Sequence, residues 1–359
     1  MRAIILLVLS SFLAATLHAF NPTLVVLQHQ RRHHYSSRSS AVLHLQATDA
    51  NDDDKLCKDT LDTTSTSCRR SFLVGASGAA AVAVLSLQPA LAEDIKKQPV
   101  CVIGCNGKTG TEVVKYLVAK NMPVRASSRT GDYNDAESIP TKAAFEKMTC
   151  DVTDPSAVKL ACAGTRAVIF AASASKQGGT PSAIDNAGLV NVAKACIEAN
   201  VPHLVVVSSG AVTKPASPVY QFLNLFGKIM EEKIKGEDAV RKLYAENNSN
   251  LTYTIIRPGG LTLDPARGAG AIELNQGDTK SGRLARADVA ALCVESLAFP
   301  EVTGGTTFEC YDADTGAPLA TVGLSNIAKK KTDGDVFISG FERRGDTYKD
   351  IFTGLKKDA

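Results

Sequence analysis

The sequence predicts an α/β fold: a single doubly wound parallel sheet with helices on both faces. Three observations predict it. From residue 98 onward, short apolar runs alternate with amphipathic stretches of helical period. The runs 100–103, 167–171 and 204–207 are apolar or nearly so throughout, as strands covered on both faces are. The segments between runs are long enough to hold the crossover helices that parallel strands need.

The elements follow in order. Residues 99–103 form the first strand, and 109–120 a helix with Val113, Val114, Leu117 and Val118 on one side. Residues 123–127 and 145–152 are the second and third strands. Asp154-Pro155 caps and opens a helix to Cys162, with the acid at the N-cap and the proline in the first turn. A fourth strand (167–171), a long helix (182–199) and a fifth strand (204–207) come next. A helix-like region (220–246), a sixth strand (251–256), a helix (286–298) and a short strand (306–310) complete the series. The stretch 261–283 is rich in Gly and poor in regular pattern, and is expected to form a lip over a substrate. The polar final 35 or so residues are expected to pack loosely. No internal repeat or second core is visible, so one domain spans 93–359.

Composition excludes several classes. In 359 residues, 44% are hydrophobic and 21% charged, which rules out a disordered chain, a disulfide miniprotein and a polytopic membrane protein. Residues 93–359 hold 32 Lys/Arg against 31 Asp/Glu, a balance without the basic footprint of a nucleic-acid binder. Five of the six histidines (His18, His29, His33, His34, His44) precede the domain, and His203 alone lies within it. No metal site and no Ser–His–Asp triad is therefore expected. His203, beside Pro202 at the start of an apolar run, reads as structural. Seven cysteines in the domain, without paired spacing, read as small buried hydrophobes.

The leader carries three addresses. Residues 1–19 have the layout of a signal peptide, ending before Phe20. Residues 20–68 hold a transit segment, acid-free and rich in Arg, His and Ser over 28–46, and then an acidic spacer. Residues 69–92 begin Arg69-Arg70, run apolar to Leu87 and end Ala90-Leu91-Ala92, the pattern of a twin-arginine signal. The order resembles targeting to a secondary plastid, then to the thylakoid lumen. Retention of the third segment as an anchor, which leaves the domain in the stroma, stays open.

The chemistry lies at the first strand–helix turn, Gly104-Cys105-Asn106-Gly107-Lys108-Thr109-Gly110. Glycines there let backbone approach a pyrophosphate, which the N–H groups at the helix start stabilise. The alternative is a plain tight turn. At the end of the second strand stand Ser128 and Arg129, with no acid before Asp132. An acid would hold a ribose 2′-hydroxyl, whereas an arginine accommodates a 2′-phosphate, so NADP is favoured over NAD. A solvated loop arginine is the alternative.

With these residues in place, the chain resembles the atypical short-chain dehydrogenase/reductases, in particular their NAD(P)H-binding group with plastid members. Besides the turn and Ser128-Arg129, the matching pieces are 150–154, 171–173, 185–188, 207–209, 254–261 and 286–290, in family order over about 210 residues. The resemblance implies a Rossmann domain in which Asp151 and Val152 meet the adenine. Ala171 and Ala172 would line the cofactor ribose, and Arg257-Pro258-Gly259 would close over the nicotinamide side. Ser208, a cofactor contact, and Ser209, a catalytic one, follow the fifth strand at the edge where such sheets bind ligands; hydrogen bonding within the turn is the plain alternative.

Family members that do redox chemistry use Tyr-x-x-x-Lys, with the tyrosine as general acid. Lys233 matches the lysine and is the second catalytic candidate, a ribose contact or one charge on a solvated face. Ile229 stands where the tyrosine belongs. Tyr220, thirteen residues before Lys233, could serve only if a loop delivers it. Two functions follow from the resemblance. One is an NADPH-dependent reductase of a small carbonyl, enone or quinone-like substrate. The other is a non-catalytic NADP(H)-binding assembly or docking factor at the thylakoid, associated with its membrane. An epimerase or lyase is a third and weaker reading, because those keep the tyrosine.

Overall fold

The computed structural model describes residues 97–175, 178–225, 227–247, 250–319 and 338–359, and the three leader segments lie outside the described residues. Seven strands form a parallel sheet: β1 (Val100–Ile103), β2 (Val124–Ser128), β3 (Phe145–Thr149), β4 (Ala167–Phe170), β5 (His203–Val207), β6 (Thr252–Pro258) and β11 (Thr306–Asp312). An eighth, β8 (Ile272–Asn275), joins antiparallel to β11. The order is β3-β2-β1-β4-β5-β6-β11-β8, so the chain reverses direction across the sheet between β1 and β4. Ligands of open α/β sheets bind in the crevice outside the strand ends at such a switch point.

Alternation along each strand feeds two cores. Val100 and Val102 face one core, with Val205, Val207 and Ile169, under helices α1 (Lys108–Ala119) and α6 (Arg286–Glu295). Cys101 and Ile103 face the other, with Val168, Phe170, Leu204 and Val206, under α2 (Pro155–Cys162), α3 (Leu189–Glu198) and α5 (Ile229–Glu246). Asp154 accepts from the Ser156 N–H at 2.8 Å, the cap expected for α2. All seven described cysteines are free and buried.

Three expectations need correction. The helix-like region 220–246 is two helices, α4 (Pro218–Asn224) and α5, broken where Gly227 and Lys228 take left-handed backbone. The stretch 261–283 is not poor in regular structure: besides parts of the short strands β7 (Gly260–Thr262), β9 (Lys280–Ser281) and β10 (Arg283–Ala285) it contains β8, whose four residues are all buried. Nor does the end of the chain pack loosely over 338–359; residues 320–337 lie outside the described residues. Ile351 and Phe352 of α8 (Tyr348–Phe352) enter the first core, and the Asp358 carboxylate accepts from Thr307 N–H (3.1 Å), Thr307 Oγ (2.6 Å) and Tyr253 OH (3.0 Å).

Candidate cofactor and substrate site

The turn 104–110 joins β1 to α1 at the switch point. Gly104 has φ +85°, and a β-carbon on it would lie 2.7 Å from the Ala172 nitrogen. A β-carbon on Gly110 would lie 2.2 Å from the Gly104 carbonyl. Gly104 is therefore required by the closeness of the turn to the loop after β4, and Gly110 by the closeness of α1 to the turn itself. Gly107 caps α1 without any side-chain hydrogen bond, and Gly107 and Lys108 are exposed. The first N–H groups of α1 thus face solvent, as an anion cradle needs. Asn106 does not aim its amide at this cradle: Nδ2 donates to the Asp132 carbonyl at 2.8 Å, and Oδ1 accepts from the Asn134 N–H at 2.8 Å. It braces the loop after β2 against the glycine turn.

At the end of β2, Ser128 Oγ donates to the Asp132 carbonyl at 2.7 Å, while Arg129 is exposed. Arg125 is taken up elsewhere, with Glu146 at 2.6 Å and the carbonyls of Ala161 and Ala163. Asp151 accepts from Thr153 N–H (2.9 Å) and Oγ (2.7 Å). Those two bonds, with the Arg129 charge, hold its carboxyl below the usual range. Arg129 and Asp151 therefore flank one rim, a basic and an acidic group where the adenosine end of a dinucleotide would lie. Val152 is buried, and Ala171 and Ala172 are half-buried against the glycine turn. This geometry fits NAD(P).

Next along the crevice lies a group that sequence reasoning did not assign. Asp185, 1% exposed, sits in a π-helical turn (Ser182–Gly188) ahead of α3. Such turns favour functional sites. Its carboxylate accepts from Ser173 Oγ (2.7 Å), Ala174 N–H (2.8 Å) and Lys233 Nζ (2.7 Å). Gly236, one turn on from Lys233, lets α5 press against this turn: a β-carbon there would lie 2.4 Å from the Asp185 carbonyl. Lys233 is consequently no charge on a solvated face; its side chain is 11% exposed and oriented by Asp185. Ile229 is half-buried at the start of α5, and Tyr220 lies on separate α4, packed with Val219 and Met230.

The serine loop leaves β5. Ser209 Oγ donates to the Gly210 carbonyl at 3.1 Å, whereas Ser208 Oγ donates to Glu237 Oε1 at 2.5 Å. Arg257, expected over the nicotinamide, is 5% exposed, and its guanidinium is turned inward to Glu237 (2.6 Å) and Glu309 (3.2 Å). That assignment is corrected for the side chain: two buried carboxylates outcompete a solvent-facing site for the fork. Arg257 draws Glu237 below the usual range against its burial. For Glu309, burial and then the neighbouring Asp278 win, and its pKa rises to about 8. Pro258 is buried, its carbonyl accepting from Gly210 N–H at 2.8 Å, and Gly259 N–H donates to Cys310. A cavity of about 490 Å³ opens beside the loop, lined by Lys214, Ala216, Ser217, Thr279, Pro318 and Leu319 around Asp278.

Away from the crevice, His203 is buried with Nε2 2.8 Å from Thr254 Oγ, and burial lowers its pKa to about 4. Cys105 is buried inside the turn, and desolvation raises its thiol to about 11, which disfavours the reactive thiolate.

Comparison with known proteins agrees with this geometry. A family model described as NAD(P)H-binding matches residues 104–300. An uncharacterised chloroplastic protein of Arabidopsis thaliana is 32% identical over 214 residues, covering 56% of this chain and 73% of that protein. The chloroplastic protein TIC 62 of Pisum sativum is 28% identical over 61% of this chain, which spans only 44% of that relative. Sanguinarine reductase of Eschscholzia californica is 27% identical over 59% of this chain and 88% of its own length. The matched span covers the glycine turn, the rim of Arg129 and Asp151, Lys233 and the serine loop: the chain belongs to the NAD(P)H-binding family.

Proposed function

We propose that the protein is an NADPH-dependent reductase of a small, largely apolar carbonyl, enone or quinone-like substrate, working in a plastid. One observation carries the reading: the open glycine turn, the Lys233–Asp185 pair and the serine loop with its cavity of about 490 Å³ share one edge of the sheet. The nicotinamide supplies the hydride when bound. The chain's own residues bind, orient and manage protons. Gly104, Gly107 and Gly110 with the N–H groups of Lys108 and Thr109 cradle the pyrophosphate. Ser128 and Arg129 take the 2′-phosphate end, while Asp151, Val152, Ala171 and Ala172 flank the adenosine half. Lys233, its ammonium held by Asp185, would serve as the charged donor to the nicotinamide ribose, in the absence of the tyrosine that Ile229 replaces. Ser209, whose hydroxyl donates to the neighbouring Gly210 carbonyl at 3.1 Å, would turn from it to meet a substrate oxygen. The chloroplastic names of the relatives support the plastid assignment, and the reductase among them supports the chemistry.

One observation favours a second reading, a non-catalytic NADP(H)-binding assembly or docking factor at the thylakoid. Ile229 removes the usual acid, and Lys233 already has a carboxylate partner. The experiment that separates the two is single-turnover oxidation of NADPH bound to the purified protein, against a panel of quinones, enones and aldehydes. Oxidation by one class establishes the reductase. Tight binding with no oxidation by any of them establishes the docking reading, and absence of binding removes both.

A further inference from the structure

The serine loop, residues 208–213, is gripped at both ends by one buried ring of ionisable groups. Ser208 Oγ donates to Glu237 on α5 (2.5 Å), and Arg257 at the end of β6 binds Glu237 (2.6 Å). Arg257 reaches across to Glu309 on β11 (3.2 Å), and Glu309 accepts the Asp278 N–H (2.9 Å). Asp278, beyond β8, closes the ring: its carboxylate accepts from Ala211 N–H (2.7 Å), Thr213 N–H (2.9 Å) and Thr213 Oγ (2.8 Å). None of the four ionisable residues is more than 5% exposed. The grip also holds Ala211 at φ +69°, left-handed backbone that a β-carbon disfavours. Arg241 extends the ring outward, binding Glu237 at 2.8 Å and Asp358 at 3.3 Å.

Burying this many ionisable groups is a poor way to gain stability, since well-packed apolar residues would do as well or better. What a ring of directed bonds does supply is one fixed geometry for the loop it encircles. We propose that Arg257 is a positioning residue: through Glu237 at one end and Glu309–Asp278 at the other, it fixes the loop that presents Ser209 to the substrate. The proposal rests on the reading that this loop faces the reacting half of the site. It assigns to Arg257 no contact with cofactor.

The test is Arg257→Lys, which keeps the charge and removes the two-sided fork. Amide exchange is read at Ala211 and Thr213, whose N–H groups touch Asp278 and not Arg257. Exchange there rises about tenfold, the factor that one lost charge-assisted hydrogen bond gives. The single-turnover rate falls by a similar factor, while the NADPH Kd stays within about threefold of the parent. Glu273→Gln is the control: it breaks an equally buried pair, Glu273–Lys280, outside the ring. It is expected to lower Tm and leave 208–213 protected. Equal exchange at Ala211 and Thr213 in the two variants overturns the proposal, as does a large rise in NADPH Kd with the loop unchanged, the result for a cofactor ligand. Should Arg257→Lys fail to fold, Asp358→Asn acts on the ring from its rim through Arg241, with the same two amides as readout. If no substrate oxidises bound NADPH in any variant, the reductase reading falls while the exchange data still decide the ring.

Discussion

The two halves of the sheet handle polar groups in opposite ways. In the half built from β1 to β4, side chains brace backbone outside the crevice and leave the donors at the start of α1 open to it. Asn106 ties down the loop after β2, Arg125 takes the carbonyls at the end of α2, and the start of α1 stays uncovered. In the half from β5 to β8, side chains meet one another: Ser208, Glu237, Arg257, Glu309 and Asp278 complete their bonds internally, and a cavity rather than a cradle is left. A large anionic cofactor is held by donors left unpaired, whereas a small apolar substrate needs shape, which paired groups around a void provide. The first half should accordingly fail when its shape is crowded, and the second when its charges are unpaired.

The largest effect is expected from crowding the cradle. In Gly110→Ala the new β-carbon would sit 2.2 Å from the Gly104 carbonyl, backbone that can move only by opening the turn. NADPH affinity should fall about a thousandfold, roughly 4 kcal/mol, by titration of cofactor fluorescence. Gly270→Ala, which meets nothing within 4 Å, should bind as the parent does. If both variants bind NADPH alike, the cradle is not where the cofactor sits.

Lys233→Met comes second and tests the junction between the halves, where a cationic donor from α5 meets a carboxylate from the π-turn. The single-turnover rate should fall about a hundredfold, the low end for loss of a positioned proton donor. Binding should weaken far less. A rate unchanged in this variant would remove Lys233 from the chemistry and favour the docking reading.

This contrast also explains what could be read from sequence. The first half is written in local terms: three glycines at fixed spacing, a strand before them and a helix after. The second half is written in pairs far apart in the chain. Asp185 meets Lys233 across 48 positions and Arg257 meets Glu309 across 52, and no local pattern marks either partner. Arg257 showed itself as a motif residue, but a motif names a position and not the direction its side chain takes. The strand β8 was obscured for a related reason. Its polar residues are as buried as its apolar ones, with Glu273 bound to Lys280 and Tyr311, and Asn275 to Thr279 and Ser339. Alternation at a solvent boundary was not available to reveal it.

Arg129→Ala sharpens the first half alone. The exposed arginine at the end of β2 should matter to a 2′-phosphate and little to a hydroxyl. Losing one charge-assisted contact gives a drop in NADPH affinity of about ten- to a hundredfold, with NADH within about threefold. Equal losses for both cofactors, or none, would return the choice of cofactor to open ground.

The smallest effect belongs to the second half, at a place where its pairing is incomplete. Thr254 Oγ donates to the Thr303 carbonyl at 2.8 Å, so its oxygen accepts from His203, which assigns the proton of the neutral ring to Nε2. Nδ1 is then buried with no partner among the described residues, and protonating it would place an N–H in a dry site without an acceptor. Burial first, and the Lys357 charge second, accordingly lower the pKa from 6.5 to about 4. The unfolded chain binds this proton more readily than the folded one, so stability contributed by the neutral ring is full above pH 6.5 and declines as pH falls toward 4. Between pH 7.5 and 6 the loss should be about 1 kcal/mol. His203→Gln, whose amide can still donate to Thr254, should show a denaturation midpoint that declines less over that interval. Parallel curves for the two proteins would mean that His203 takes up its proton in the folded chain as easily as in the unfolded one, and that this half of the sheet admits water where its packing indicates none.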